Sequence, residues 1–109
     1  MDEMDKSQIE KIKNTKKIKA IIKKVYGKDG KYFEGRSFTR NRETYCYVGI
    51  EFAKKDYPNE CPDVARMAIF INECKKAFGD DCPQAKAFVD YSIRQEQYSM
   101  CWERFEYHL

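Results

Sequence analysis

The sequence predicts a small α+β domain of two layers, in which a two-stranded antiparallel hairpin packs on helices. Three observations lead to this prediction: a lysine-rich segment with helical apolar spacing, two strand-like segments after it, and a second helical pattern in the C-terminal half. At 109 residues the chain is long enough for one hydrophobic core. We therefore expect a single domain over residues 1–109, with residues 1–6 disordered.

The first predicted element is a helix that starts near Ser7 and ends at Tyr26. Ser7 and Glu10 form a capping-box pattern, and Gly27 stands where a glycine commonly ends a helix. Apolar side chains recur at helical spacing in its second half, while lysines occupy the rest of the circumference. The apolar stripe consists of Ile18, Ile21, Ile22 and Val25.

Two strand-like segments, residues 31–38 and 43–52, follow a turn and are separated by residues 39–42. The second segment alternates strictly, so its side chains divide between a core face and an exposed face. We assign to the core the set Cys46, Val48, Ile50 and Phe52. The other set contains Tyr45 and Tyr47, which we expect to share the exposed face with Tyr32 and Arg36.

A second helix is predicted to open at residues 61–63, with Pro62 in its first turn, and to end at Gly79. Its predicted inner stripe is Val64, Met67, Ala68, Ile71, Cys74 and Phe78. Asp80-Asp81-Cys82-Pro83 repeats the same kind of opening, and this favours a third helix.

Residues 84–109 contain no Gly, Pro or Asn, and helical apolar spacing runs from Ala85 to Ser92. We therefore predict one long third helix and the element order α-β-β-α-α. The alternative is a pair of strands with a turn at residues 95–97, which would give the order α-β-β-α-β-β.

Candidate chemistry is sparse. The five cysteines lack the paired spacing of a structural zinc site and the single histidine is His108, so we predict no metal site and no cofactor. Cys61 and Cys82 lie at predicted helix N-termini, where the helix dipole lowers the pKa of a thiol. A small thiol-dependent enzyme is therefore an alternative. Because no base partner can be named, we expect no catalytic residue and no enzymatic activity.

No export signal is recognisable, and no apolar segment approaches the length of a membrane span. From these features and the irregular cysteine spacing we expect reduced thiols, a cytoplasmic location and no membrane partner.

Charge is divided unequally along the chain. Residues 1–55 carry 15 Lys/Arg against 8 Asp/Glu, a net charge of +7, whereas residues 56–109 carry 6 against 10, a net charge of −4. We expect the basic half to supply one continuous binding surface. The predicted binding residues are Arg36, Arg40, Arg42, Tyr45 and Tyr47, with Lys16, Lys19 and Lys23 as supporting charge.

These features favour a small regulatory binding protein over an enzyme. The composition is typical of proteins from phages or mobile elements with AT-rich genomes. We expect such a protein to occupy a nucleic-acid-handling host protein or complex, as an anti-defence inhibitor would. The alternative is direct DNA or RNA binding, because interleaved Arg and Tyr can stack on bases while Lys neutralises phosphates. A second predicted contact surface, suited to a homodimer, comprises Tyr91, Tyr98, Trp102, Phe105 and Tyr107.

Overall fold

The computed structural model describes residues 6–53 and 63–108. Of residues 1–6, which we expect to be disordered, residues 1–5 lie outside these ranges, as does the candidate thiol Cys61, whereas Lys6 is the first residue of a helix. The described elements, in chain order, are α1 (Lys6–Tyr26), β1 (Gly30–Arg40), β2 (Glu43–Phe52), α2 (Val64–Phe78), β3 (Phe88–Ser92) and β4 (Gln97–His108), with 3₁₀ turns at Gly27–Asp29 and Pro83–Lys86.

The four strands form one antiparallel sheet in the order β1-β2-β4-β3, and α1 and α2 pack side by side against one of its faces. The core between the layers joins the predicted stripe of α1 to the predicted core set of β2. Phe70 of α2 lies at its centre, with its ring 6.2 Å from Tyr26 and 5.7 Å from Trp102. The α+β class and the two-layer arrangement are therefore confirmed.

The predicted third helix is wrong, and the alternative order α-β-β-α-β-β is the observed one. The helix-opening pattern at Pro83 produces only one 3₁₀ turn, after which Ala87 is extended. The chain then turns between β3 and β4 without glycine. Ser92 Oγ accepts a hydrogen bond from the backbone N–H of Gln95 at 3.2 Å, and Glu96 takes the left-handed conformation with φ of 53°.

The reason for this error is non-local. In the sheet β4 lies between β2 and β3, so its backbone hydrogen-bonding groups have partners on both sides. Met100 and Trp102 of β4 are also buried completely or nearly so against the helices. This burial, which depends on residues distant in the chain, outweighs the local helical spacing of residues 85–92.

The second helix differs from its prediction at its start and in its rotation. It begins at Val64 with Asp63 as its N-cap, whose carboxylate accepts from the N–H groups of Ala65 and Arg66 at 2.9 and 3.4 Å. Val64 is 73 % exposed, whereas Phe70, absent from the predicted stripe, is fully buried. Of the predicted stripe, Ala68 is also exposed, whereas Met67, Ile71, Cys74 and Phe78 do pack toward the core.

A β-bulge in β1, between Glu34 and Ser37, changes which side chains share a face. Phe33 and Phe38 are an odd number of residues apart, yet both lie on the sheet face away from the helices, opposite Gly49 and Tyr45 of β2. The prediction that Tyr32 shares this face is wrong. Tyr32 pairs with the core residue Ile50 and therefore faces the helices.

Candidate binding face

The sheet face opposite the helices is lined with aromatic rings, and we call it the open face. The strand registers assign six rings to it: Phe33 and Phe38 from β1, Tyr45 and Tyr47 from β2, Phe88 from β3 and Phe105 from β4. None of these residues belongs to the core cluster formed with the described helices.

Five of the six rings of the open face contact one another in a continuous series. Phe38 stacks on Tyr47 and Tyr45, with ring centroids 4.8 and 5.7 Å apart. Tyr45 meets the edge of Phe105 at 5.7 Å, and Tyr47 meets Phe88 edge-on at 5.9 Å. Such pairs hold one another in place, so the rings form a pre-organised surface.

Much of this aromatic surface is accessible to solvent. Tyr47 is 38 % exposed, Phe88 45 % and Phe105 55 %. Single exposed apolar residues are common on proteins, but a contiguous group of large rings on one face is typical of an interaction site.

Arg40 lies across these rings and is already paired. Its two terminal nitrogens donate to both carboxylate oxygens of Glu103 at 2.7 and 3.1 Å, and its guanidinium carbon lies 4.7 Å from the centroid of Tyr45. The hydrogen bond to Glu103 raises the pKa of Arg40, and the same bond lowers the pKa of Glu103. Arg40 thus links β1 to β4 over the Tyr45 ring.

The open face carries more negative than positive charge. The carboxylates that its strand registers assign to it are Glu43, Glu51, Asp90 and Glu103, against the cations Lys31 and Arg40, a net charge of −2. Glu43 accepts a hydrogen bond from the Tyr45 hydroxyl, and this bond raises the pKa of Tyr45.

The structure brings together only part of the predicted binding set. Tyr45, Tyr47 and Arg40 meet on the open face, whereas Arg36 lies at the bulge and Arg42 in the two-residue turn of the hairpin. Both of these arginines are exposed, and neither has an ion pair within residues 6–53 and 63–108.

The predicted lysines lie elsewhere. Lys16, Lys19 and Lys23 project from α1, on the other side of the sheet from Tyr45 and Tyr47, and they line grooves between α1 and β1. The Lys19 ammonium is 5.3 Å from the centroid of the Tyr32 ring. The eight predicted residues therefore do not form one continuous basic patch.

The predicted C-terminal aromatic surface is also divided. Trp102 is in the core at 2 % exposure, and Phe105 is on the open face. Tyr91 and Tyr98 pack together with centroids 4.8 Å apart. The side chain of Tyr107 lies outside the described set.

A charged cluster fills the space between one end of α1 and the sheet. Arg104 donates to Glu34 at 2.9 Å and to Glu106 at 2.7 Å, and the Lys11 ammonium reaches Glu106 at 2.7 Å. Arg104 also donates to the Tyr32 hydroxyl at 3.0 Å. Two cations and two carboxylates satisfy one another here, which identifies the cluster as structural.

The described cysteines are free thiols, and all of them are buried. Burial raises the pKa of Cys74 to about 12, and it also raises the pKa values of Cys46 and Cys101. Cys82, a candidate reactive thiol, is 4 % exposed beside a turn of only four residues. Within the described ranges, no group of three or more Cys, His, Asp or Glu side chains could hold a metal ion.

Sequence reasoning missed several contributors to the open face, among them the rings of Phe33, Phe38 and Phe88 and the carboxylates of Asp90 and Glu103. Strand alternation would have identified Phe88 and Asp90, because they stand two residues apart. The prediction of a helix over residues 84–109 does not use this alternation. The two β1 rings depend on the bulge, for which the sequence offers only Gly35 as a sign.

No protein family, no curated protein and no solved structure matches the chain. Neither of the helices that the structure describes has the length and apolar composition needed to cross a membrane.

Proposed function

We propose that this chain is a non-catalytic binding protein that engages the basic surface of another protein through its open face. The surface of a nucleic-acid-handling protein that normally contacts phosphates has the required chemistry. The observation that carries the proposal is the coincidence of exposed rings and unbalanced carboxylates on one sheet face.

The rings support a protein as the partner. Large aromatic side chains at the centre of an interface supply much of its binding energy, and they lose little conformational entropy when they are covered. On the open face the rings already hold one another through stacked and edge contacts. Binding would therefore require little additional ordering.

The charge of this face supports a basic partner over a nucleic acid. Phosphate contacts dominate the affinity of proteins for DNA and RNA, and a surface with a net charge of −2 repels phosphates. A surface that binds phosphates is itself rich in Lys and Arg, and it complements carboxylates set among flat rings. The proposed mechanism is occupancy, since nucleic acid is excluded while the partner is covered.

Direct nucleic-acid binding is the second candidate, through α1 alone instead of a joint face of helix and hairpin. Within Lys6–Tyr26 there are eight lysines and one glutamate. Lys11 and Lys24 are paired with Glu106 and Glu73, but Lys16 and Lys23 are exposed and have no ion pair within residues 6–53 and 63–108. A lysine-rich helix of this kind can attract a polyanion without reading its sequence.

The test begins with capture of the target from a nuclease-treated lysate of the cells that make the chain. The captured protein is then purified and titrated against variants by calorimetry. We expect Tyr47→Ala combined with Phe105→Ala to weaken binding by at least about 100-fold, because each removes an exposed ring of the open face. The control Ile69→Ala removes a side chain of α2 that is 54 % exposed, and it should leave affinity within about twofold of the original.

Competition completes the test. Addition of the target's own nucleic acid should release the protein, as occupancy of a shared surface requires. Equal affinity of the open-face variant and the unaltered protein would overturn the proposal. Binding of free DNA or RNA that falls steeply with salt and is lost in Lys16→Glu combined with Lys23→Glu would instead favour the second candidate.

A further inference from the structure

A groove of about 420 Å³ crosses the open face between β1 and β3. Small side chains such as Ser99 and Cys101 form its floor, and the rings of Phe33, Tyr47 and Phe88 form its walls. Because Tyr47 and Phe88 contact each other edge-on, part of each ring surface remains available to a ligand.

Two carboxylates stand on opposite sides of this groove. Glu51 of β2 and Asp90 of β3 both pair with Ser99 of β4, from its two sides. Adjacent strands are about 4.8 Å apart, so the backbones of these two acidic residues are separated by about 10 Å. Neither carboxylate has an ion-pair partner among the described residues, and Lys31, which lies opposite Glu51 on β1, does not line the groove.

We infer that this groove binds one arginine side chain of the partner, with its guanidinium among the rings and between Glu51 and Asp90. The inference rests on the proposed function and names the anchor of that interface. A planar guanidinium can stack on an aromatic wall while its donors reach carboxylates on both sides. A compact ammonium has no planar face to stack on the rings, and within the described residues no group of three or more side chains could hold a metal ion here.

The geometry makes the groove selective for positive charge. Ring faces carry negative electrostatic potential and attract cations, and the two unpaired carboxylates add to the same field. A neutral ligand of the same shape gains the ring contacts but neither of the charge interactions. Discrimination between a charged and a neutral isostere therefore follows directly from the arrangement.

The experiment uses N-acetyl-arginine amide as a probe, with N-acetyl-citrulline amide as its neutral isostere. Each is titrated into ¹⁵N-labelled protein, and amide chemical shifts are followed. We expect saturable shifts of residues in and beside the groove, such as Ser99 and Cys101, at millimolar arginine probe. Citrulline probe should bind at least about threefold more weakly, because it lacks the charge pairs.

Two variants test the carboxylates. Asp90→Asn and Glu51→Gln together should weaken the arginine probe at least about threefold, while Glu10→Gln, which removes an exposed carboxylate of α1, should not. If the double variant fails to give a folded spectrum, Asp90→Asn alone serves, since Asp90 is exposed. Equal binding of the two probes, or shifts scattered over the whole surface, would overturn the inference.

The outcome is separable from that of the proposed function. Phe105 lies outside the groove, so Phe105→Ala should weaken the protein partner but leave the arginine probe unaffected. Arginine-probe binding without any effect of open-face variants on the partner would retain the groove and remove the interface. Partner binding that depends on Phe105, with no binding of the arginine probe, would retain the interface and overturn the assignment of the groove.

Discussion

At the scale of single residues, whether a charged side chain is available to bind a partner depends on its neighbours more than on its residue type. Arg40 was predicted as a contact residue, yet its guanidinium is held by both oxygens of Glu103 and lies over Tyr45. No sequence pattern singles out Arg104, but its guanidinium joins Glu34 and Glu106 beneath α1. A cation that is already paired with a carboxylate of another strand stabilises the fold and is less available to bind a partner.

The Arg104 cluster predicts a loss of stability in acid. Hydrogen bonds from Arg104 hold the pKa of Glu34 below its ordinary value of 4.5. Burial alone would raise the pKa of Glu106, but hydrogen bonds from Lys11 and Arg104 outweigh it and lower that pKa also. Both carboxyl groups thus bind protons more weakly in the folded protein. Their contribution is complete above pH 4.5 and is lost as the pH falls through their lowered pKa values.

Replacement of Arg104 tests this directly. Arg104→Met should reduce the free energy of unfolding at pH 7 by about 1–3 kcal/mol, because it removes hydrogen bonds to the largely buried carboxylate of Glu106 and to the more exposed one of Glu34. Its stability should also fall less steeply below pH 4.5 than that of the unaltered protein. Urea unfolding from pH 7 to pH 3 measures both effects. Arg94→Met, in the exposed β3–β4 turn, is the control, and an unchanged acid slope in Arg104→Met would contradict the assignment.

At the scale of elements, the strands are joined by tight turns in which residues other than glycine take the left-handed conformation. Asn41 and Arg42, with φ of 54° and 65°, form the two-residue turn between β1 and β2. Glu96 takes the corresponding role between β3 and β4, with φ of 53°. These positions explain how both hairpins form from sequence that lacks the usual Asn-Gly or Asp-Gly pair.

The first turn provides a test of stability and of binding together. Arg42→Gly creates the preferred Asn-Gly pair and should raise the free energy of unfolding by about 0.5–1 kcal/mol, because glycine takes a positive φ without steric cost. Thr39→Gly, within β1, should lower it by a similar amount. Urea titration distinguishes the two variants. A destabilised Arg42→Gly would mean that the arginine side chain makes an important contact.

The same variant bears on the binding surface. If the partner docks on the open face, removal of Arg42 should change its affinity less than Phe105→Ala does. If the basic hairpin tip is the contact, as the sequence suggested, Arg42→Gly should cause the larger loss.

At the scale of the whole molecule, the sheet separates two surfaces of opposite character. α1 presents its lysines on one side, and the open face presents rings and carboxylates on the other. The charge asymmetry of the sequence is therefore real, but it follows the layers of the fold instead of the two halves of the chain. β2 belongs to the basic half, yet it brings Glu43 and Glu51 to the acidic face.

Thiol reactivity offers a measure of the integrity of the whole core. Cys74 is fully buried, and burial raises its pKa to about 12, so its thiolate is disfavoured in the folded protein. We expect it to react with a disulfide reagent near neutral pH only as fast as the protein opens. The measurement compares labelling of Cys74 by mass spectrometry with and without urea. Rapid labelling of Cys74 in the folded protein would contradict this core arrangement.

Local patterns were sufficient for α1, for the β1–β2 hairpin and for most of the inner stripe of α2. Each of these elements shows its own periodicity over a short segment, and Cys46, Val48, Ile50 and Phe52 are buried as alternation predicts. For the site, the same alternation correctly predicts that Tyr45 and Tyr47 lie on the sheet face away from the core. It could not supply their neighbours, because Phe88 and Phe105 are brought beside them by strands more than forty positions away in the chain.

Tertiary structure decided the rest. Residues 88–92 and 97–108 become strands because β4 pairs on both edges and buries Met100 and Trp102, a gain that no short window of sequence contains. The same pairing brings Glu103 to Arg40 and places Glu51 and Asp90 on either side of Ser99. The sign of the charge on the open face therefore depends on strand register, since register selects which residues of distant segments meet.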